Sequence, residues 1–484
     1  MRKITRITLL SLTMLLAGCS TGMNNAGIYY GGNEYNQTIN SEEYQEINER
    51  GFVDASSEPL SSFSLNSSSY AYTNLRRLIN NNENISKDAV VIEEMLNYFN
   101  YSYTNETDEA LSTTMELGEC PWNDEHHLAL ISVNSKEIEM KDTKNNFVFL
   151  IDTSGSMSDF NKLGLFQESF RLFADSINEN DTISIVTYAN GVRVVADGIK
   201  GDNKNELVSA VDSLVANGGT NGSGGIQTAY NIAQKHFIDD GNNRILLATD
   251  GDFNIGIRNQ NELNDFISSK RETGVYLSVF GYGMGNTKHN TMETLAENGN
   301  GNAYYIDSIL EAKKIFVNEL GSVLNTVAKD SKIQIEFNPE TINKYRLLGY
   351  ENSMLTNEQF EDENQDAGEI GAGHTTIAMY ELELKDNPNE DFYFKSKLRY
   401  IDTDDNLSKE VVNDIKNITL VSNDFNFASS VVEFALILRD SSFKGNSSYD
   451  HLLSKLENVD LDDEYKQEFK ELVIKAKNNQ EINY

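Results

Sequence analysis

From residue 145 to residue 306 the apolar positions fall in short unbroken runs, such as FVFLI at 147–151 and ILLA at 245–248. Between them lie stretches where apolar residues recur every three or four positions, as in Leu163, Phe166, Phe170, Phe173 and Ile177. Unbroken runs of about four to eight apolar residues suit strands buried on both faces. Alternating with amphipathic helices, they predict a doubly wound, mostly parallel α/β sheet with helices on either side. Strands are expected near 146–151, 182–188, 192–197, 244–249, 275–280 and 303–306, with Asn190-Gly191 marking a tight hairpin between the second and third.

The pattern changes on both sides of this region. Residues 68–80 (SSYAYTNLRRLIN) predict one amphipathic helix. Ile92, Met95, Leu96 and Phe99, behind Ser86 as a cap, predict another, with a long loop as the alternative. Residues 112–135 look extended, LALISV at 128–133 most clearly. After about residue 330 the sequence alternates, through Ile333, Ile335 and Phe337, then TTIAMYELEL (375–384) and FYFKSKLRYI (392–401), which predicts antiparallel strands with one wet face. Extended segments on both sides of the α/β region should pair with each other, making that region an insertion in a β-sandwich-like domain. From 425 onward the chain turns helical, with VVEFALIL at 431–438 and Leu472, Val473 and Ala476 as core faces.

The first nineteen residues, MRKITRITLLSLTMLLAGC, have a basic start, an apolar middle and small residues before Cys19. This is the layout of a secretory signal, too short to span a membrane as a helix. Cysteine directly after Leu-Ala-Gly resembles the bacterial lipobox, which implies lipidation of Cys19 and an anchor on the exported side of a bacterial membrane, in the cell envelope. Two or three acyl chains, each CH₂ contributing about 0.8 kcal/mol, are enough to hold it there. The expected organisation is a signal peptide at 1–18, a lipidated flexible tether at 19–58 rich in Ser, Gly, Asn and Glu, a helical and β flank at 59–144, the α/β domain at 145–328, the β-sandwich-like domain at 329–424, and a helical region at 425–484.

Composition narrows the partners. Lysine and arginine total 40 against 75 acidic residues, a formal charge of −35 that grows more negative once Arg2, Lys3 and Arg6 are removed. Such a surface argues against nucleic acid and against adsorption to anionic lipid. Once residues 1–18 are removed Cys120 is the only thiol apart from the lipidated Cys19, so no intrachain disulfide is expected and packing is its default role.

Candidate chemistry sits at the ends of the apolar runs. Asp152, Ser154 and Ser156 follow FVFLI, Gly218-Gly219-Thr220-Asn221 forms a second oxygen-bearing loop, and Thr249-Asp250-Gly251-Asp252 ends ILLA. In an open sheet of this kind ligands bind beyond the carboxyl ends of strands where the winding reverses. Carboxylates and hydroxyls at that edge suit Mg²⁺, which takes about six oxygens and keeps some of them as water. The three loops in this order resemble the metal-ion-dependent adhesion site of von Willebrand factor A domains, over residues 145 to 328, and imply their Rossmann-like fold. The resemblance assigns the metal to Asp152, Ser154, Ser156, Thr220 and Asp250, with Mg²⁺, or Mn²⁺ or Ca²⁺, as the ion. It leaves one coordination position for an acidic group of a protein or glycan partner.

The stretches 68–80, ECPWN (119–123), TDGDFNIG (249–256) and DAGEIGAGHT (366–375) further resemble the YfbK-like bacterial lipoproteins. Competing motifs fail on spacing. Gly281, Gly283 and Gly285 lack the dinucleotide fingerprint, and Asp250, Asp252 and Asn254 start an EF-hand-like loop that has Ile255 where glycine belongs. The histidines are scattered, with His374 the best single candidate for a functional one and a structural role its default; Trp122 is expected to anchor a core. The expected function is that of a non-enzymatic, metal-dependent interaction lipoprotein. The alternative is an envelope-assembly scaffold whose metal only stabilises the fold.

Overall fold

The apolar runs FVFLI and ILLA lie side by side. In the computed structural model, which describes residues 44–65, 68–138, 144–219, 224–239, 241–251, 260–283, 289–386, 392–416 and 420–482, they become neighbouring parallel strands at the centre of one sheet. Numbering from the N-terminus, the elements before this sheet are β1 (Val53–Asp54), β2 (Leu60–Ser64), α1 (Tyr70–Asn80), α2 (Ile92–Leu96), β3 (Leu111–Glu119) and β4 (His127–Ser135). The sheet's own elements follow as β5 (Asn145–Asp152), α3 (Leu165–Ser176), β6 (Thr182–Tyr188), β7 (Val192–Lys200), α4 (Lys204–Asp212), α5 (Gly225–Lys235), β8 (Asn242–Thr249), α6 (Gln260–Arg271), β9 (Tyr276–Tyr282), α7 (His289–Asn298), β10 (Ala303–Ile306), α8 (Ile309–Lys313) and α9 (Leu320–Leu324).

The strand order is β10-β9-β8-β5-β6-β7, parallel except for the β6–β7 hairpin. Every residue of β5 is buried, because side chains alternate across a sheet covered on both sides. Phe147, Phe149 and Ile151 meet α3, α4, α8 and α9, while Val148 and Leu150 meet α5, α6 and α7. The winding reverses between β5 and β8, which places the loops after these two strands on either side of the crevice where such folds bind ligands.

The remaining elements are β11 (Thr326–Phe337), β12 (Ile342–Leu348), β13 (Met354–Leu355), α10 (Asn357–Glu361), β14 (Gly368–Gly371), β15 (Thr375–Leu384), β16 (Phe394–Asp402), β17 (Ser408–Ile415), α11 (Asn423–Leu438), α12 (Tyr449–Leu456) and α13 (Glu464–Ile482). Two antiparallel sheets result, β1-β12-β15-β4-β3 and β13-β2-β11-β16-β17, with β14 on β11. Strands from before and after the parallel sheet pair directly: Ala129 of β4 opposes Tyr380 of β15, and Phe63 of β2 opposes Ile333 of β11. The α/β domain is therefore an insertion between β4 and β11. The two flanking sheets share a core of Ala129, Ile131, Val133, Phe63, Ile335 and Leu398.

Three expectations are corrected. Strand β15 has no wet face: Met379 and Ile377 on its second side join Leu128 and Leu130 of β4 under α1, α2 and α11, a core that also holds Trp122 and Cys120. Alternation survives in β16, where the second side is only partly covered. Residues 44–58 of the expected tether are packed rather than free, since β1 pairs with β12, Ala55 is buried and Tyr44 packs on the helical core. The second helix is a short α2, and Ser86 caps a preceding 3-10 turn by accepting from Asp88 N–H. Cys19 and the rest of residues 1–43 lie outside the described residues, among which no helix is long and apolar enough to cross a membrane.

Candidate functional site at the carboxyl edge of the parallel sheet

Asp152 is the last residue of β5, and its loop is fixed by short-range bonds. Asp152 Oδ1 accepts from Ser154 N–H at 2.7 Å, while Thr153 N–H donates to the Tyr188 carbonyl at 2.9 Å and ties the loop to the end of β6. The turn brings the two serine hydroxyls together, with Ser154 Oγ and Ser156 Oγ 2.9 Å apart. The second loop is clamped onto the first by Asn217 N–H donating to the Thr153 carbonyl and Gly155 N–H to the Gly218 carbonyl, both at 2.9 Å. Gly218 has φ +86°, and a Cβ there would run into the Asn190 amide, whose Oδ1 accepts from Gly219 N–H at 2.7 Å. The third loop starts at β8, where Gly251 N–H donates to Thr249 Oγ1 at 3.2 Å and Gly251 takes φ +91°.

Four of the five expected residues, Asp152, Ser154, Ser156 and Asp250, thus sit on adjacent loops. The fifth, Thr220, lies outside the described residues, as does Asp252; the described part of its loop ends at Gly219, beside Asn190. Asp152 and Ser154 are 0% exposed and Asp250 is 2% exposed. Asp152 Oδ2 is buried, and the Tyr188 hydroxyl lies near enough to the carboxylate to favour its charged form. Burial, together with the nearby charge of Asp250 and against the hydrogen bonds from Ser154, pushes Asp152 up to about 6.

Sequence reasoning missed one participant. Lys162, 5% exposed, donates from Nζ to Asp250 Oδ2 at 3.0 Å and to the Ser156 carbonyl at 3.0 Å. Its neighbour Phe160 is 83% exposed. A lysine in the polar run DFNKLG carries no signal of its own, because its reach into the site depends on the third loop and on Gly283.

The donors here are hard oxygens. Among the described residues no group of three or more His, Cys, Asp or Glu side chains could hold a metal, so a cation here would rest on two carboxylates and on hydroxyls. Three of the histidines are engaged elsewhere: His126 with Glu381 at 2.6 Å, His236 with Asp197 at 2.7 Å and His451 with Glu433 at 2.5 Å. His374 is buried in the flank, where desolvation pushes it down to about 4.

This topology, with an acidic loop after the first strand at the reversal of a parallel sheet, is that of a von Willebrand factor type A domain, and the family of that name matches residues 146–318. A profile described as von Willebrand factor matches residues 38–130, and one described as Uncharacterized protein YfbK, C-terminal, matches residues 322–478. Uncharacterized protein YfbK of Escherichia coli (strain K12) is 41% identical over 350 residues, covering 70% of this chain and 61% of that protein. The chain belongs to the YfbK-like group of bacterial von Willebrand factor type A proteins, and it spans about three fifths of that relative's length. Among solved structures it resembles the von Willebrand factor type A protein from Catenulispora acidiphila, at TM-score 0.41 and 15% identity over 69% of this chain and 81% of that one. It also resembles the ArnB paralog VWA2 from Sulfolobus acidocaldarius, at TM-score 0.34 and 15% identity over 76% and 98%.

Proposed function

We propose that this is an envelope lipoprotein that binds a protein or glycan partner through a cation held by Asp152, Ser154, Ser156, Asp250 and Thr220. A von Willebrand factor type A domain is in general an interaction module rather than an enzyme. The observation that carries the reading is the serine pair. Two oxygens on adjacent corners of an octahedron around Mg²⁺, each at about 2.1 Å, stand roughly 3.0 Å apart; Ser154 Oγ and Ser156 Oγ, hydrogen-bonded to each other at 2.9 Å, already hold that spacing and a cation could take both without moving them apart. The buried Asp152 carboxylate supports the same reading, because the donors beside it, Ser154 and the Tyr188 hydroxyl, are neutral, and a buried carboxylate is costly unless a countercharge faces it. Mg²⁺ is the favoured ion, with Mn²⁺ or Ca²⁺ as substitutes, and the position left open would take a carboxylate from the partner. Lipidation of Cys19 would place the site on the exported side of a bacterial membrane.

The test pairs calorimetry of Mg²⁺ with capture of partners from an envelope extract. The wild type should bind Mg²⁺ and lose its partner in chelator, and Asp250→Asn and Ser154→Ala should do both poorly while keeping their circular dichroism. Partner capture unchanged by a variant that no longer binds cation would favour the scaffold reading, in which metal acts on the melting temperature alone.

A further inference from the structure

The Lys162 ammonium is buried within the acidic loops, yet it can never ligate a cation. Its stem passes over Gly283, which has φ +93° and at which any Cβ would strike Lys162 Cγ and Cε. Its Nζ is held by two bonds of 3.0 Å, to Asp250 Oδ2 and the Ser156 carbonyl, and stands 3.8 Å from the exposed Asp159 carboxylate. Both contacts lie on the residues that carry the proposed site, so the lysine is part of the site's charge. Asp159, with its side chain 70% exposed, is screened by water; the buried groups Asp152, Asp250 and Lys162 together bear one net negative charge, and a divalent cation among them turns it into one net positive charge. Without the lysine the loaded site would be neutral.

We propose that Lys162 sets the charge of this site. It balances Asp250 before the cation arrives and leaves the loaded site positive, so that an anionic ligand is taken in preference to a neutral one such as an uncharged sugar hydroxyl. The proposal rests on the cation reading given above. It makes Lys162 a specificity-determining residue with opposite effects on two ligands: its positive charge weakens the cation and strengthens the anion that follows. Reciprocity of coupling then requires that an anion tighten the cation by the same factor by which the cation tightens the anion.

The experiment uses the full mature chain, Lys162→Met and Lys162→Gln, with Asp250→Asn as control and circular dichroism to show that each is folded; the Gln variant keeps a donor for the Ser156 carbonyl should the Met variant misfold. Calorimetry with Mg²⁺ should show both Lys162 variants binding about tenfold or more tighter than wild type. Titration of Mn²⁺ with and without glutarate, a small dicarboxylate, at fixed ionic strength should show glutarate tightening Mn²⁺ in the wild type and having little effect in the variants. A wild type that binds no cation, with Asp250→Asn no different from it, would overturn the cation reading and this proposal with it. A wild type that binds Mg²⁺ normally while both Lys162 variants bind equally or more weakly would overturn this proposal alone, as would an equal glutarate effect in all three proteins.

Discussion

Replacing Arg76 by alanine should destabilise the protein by about 3–5 kcal/mol, the cost of breaking a buried ion pair from one side. The Arg76 side chain leaves α1 of the flank and enters the end of the inserted domain, where it is 3% exposed. Nε and Nη2 take the two oxygens of Asp307 at 2.8 and 2.6 Å, Nη2 also takes Glu311 at 2.8 Å, and Nη1 donates to the Tyr98 hydroxyl at 2.7 Å. The guanidinium carbon lies 5.6 and 5.3 Å from the ring centroids of Tyr72 and Tyr98. Alanine leaves the buried carboxylates of Asp307 and Glu311 facing each other and the partly buried Glu468, 3.7 Å from Nη1, without its cation; Lys314 remains near Glu311. Burial already pushes Glu311 up to about 7, and Arg76 is what restrains it, so the variant's deficit should grow as pH rises and shrink where Glu311 can take up a proton. The assay is urea unfolding followed by the fluorescence of Trp122, the only tryptophan, which shares a core with Tyr72 and Leu75. The variant Arg76→Met, Asp307→Asn, Glu311→Gln, Glu468→Gln should regain most of the loss, because it removes the arginine together with the three carboxylates that pair with it. A deficit below about 1 kcal/mol, in the range of an ordinary surface pair, or one that does not change with pH, would refute the argument.

Other outcomes follow from the same geometry. Glu311 and Glu369 are raised by burial to about 7 and about 8 from an ordinary 4.5, so their folded forms hold protons that the unfolded chain has lost. The stability tied to them is fully present at low pH and is lost as pH rises through those values. In chelator the urea midpoint should therefore fall between about pH 6.5 and about pH 8, and an unchanged or rising midpoint would contradict the burial argument. Cys19→Ala should leave the protein unprocessed or released from the membrane, as read by fractionation in high salt; a processed variant still on the membrane would argue for another anchor. Residues 142–330 expressed alone should melt cooperatively, because β5 to β10 bury both faces of their sheet under their own helices. Absence of a cooperative transition even with Mg²⁺ would mean that α1 contacts such as Tyr70 on Tyr305 are indispensable.

How far the sequence foretold the structure depends on the distance over which each residue is determined. Strands β5 and β8 were legible because a central parallel strand is buried on both faces whatever its neighbours are, so its own residues carry the whole signal. The loop oxygens were legible for the same reason: Asp152, Ser154 and Ser156 are arranged by bonds within the loop itself. Strand β15 misled because its polar residues looked like a wet face. Glu381 is in fact buried, held at 2.6 Å by Arg346 and at 2.6 Å by His126, partners brought in from β12 and from the turn before β4. No periodicity announces a countercharge supplied from another element.

The same reasoning explains why the oxygens of the candidate site could be named in advance and its charge could not. A count of Asp152 and Asp250 alone gives a site that a divalent cation neutralises, whereas the folded chain adds Lys162, held in place by an ion pair to Asp250 across the sheet edge. Asp307, which receives Arg76, follows β10 at that same carboxyl edge, two strands beyond β8. Both cations reach the edge from outside the strands they serve, one from the turn before α3 and one from the flank helix α1. The parallel sheet thus supplies the position and the acidic groups. Two basic residues pair with those acidic groups, and their part becomes visible only when the chain is folded around the sheet.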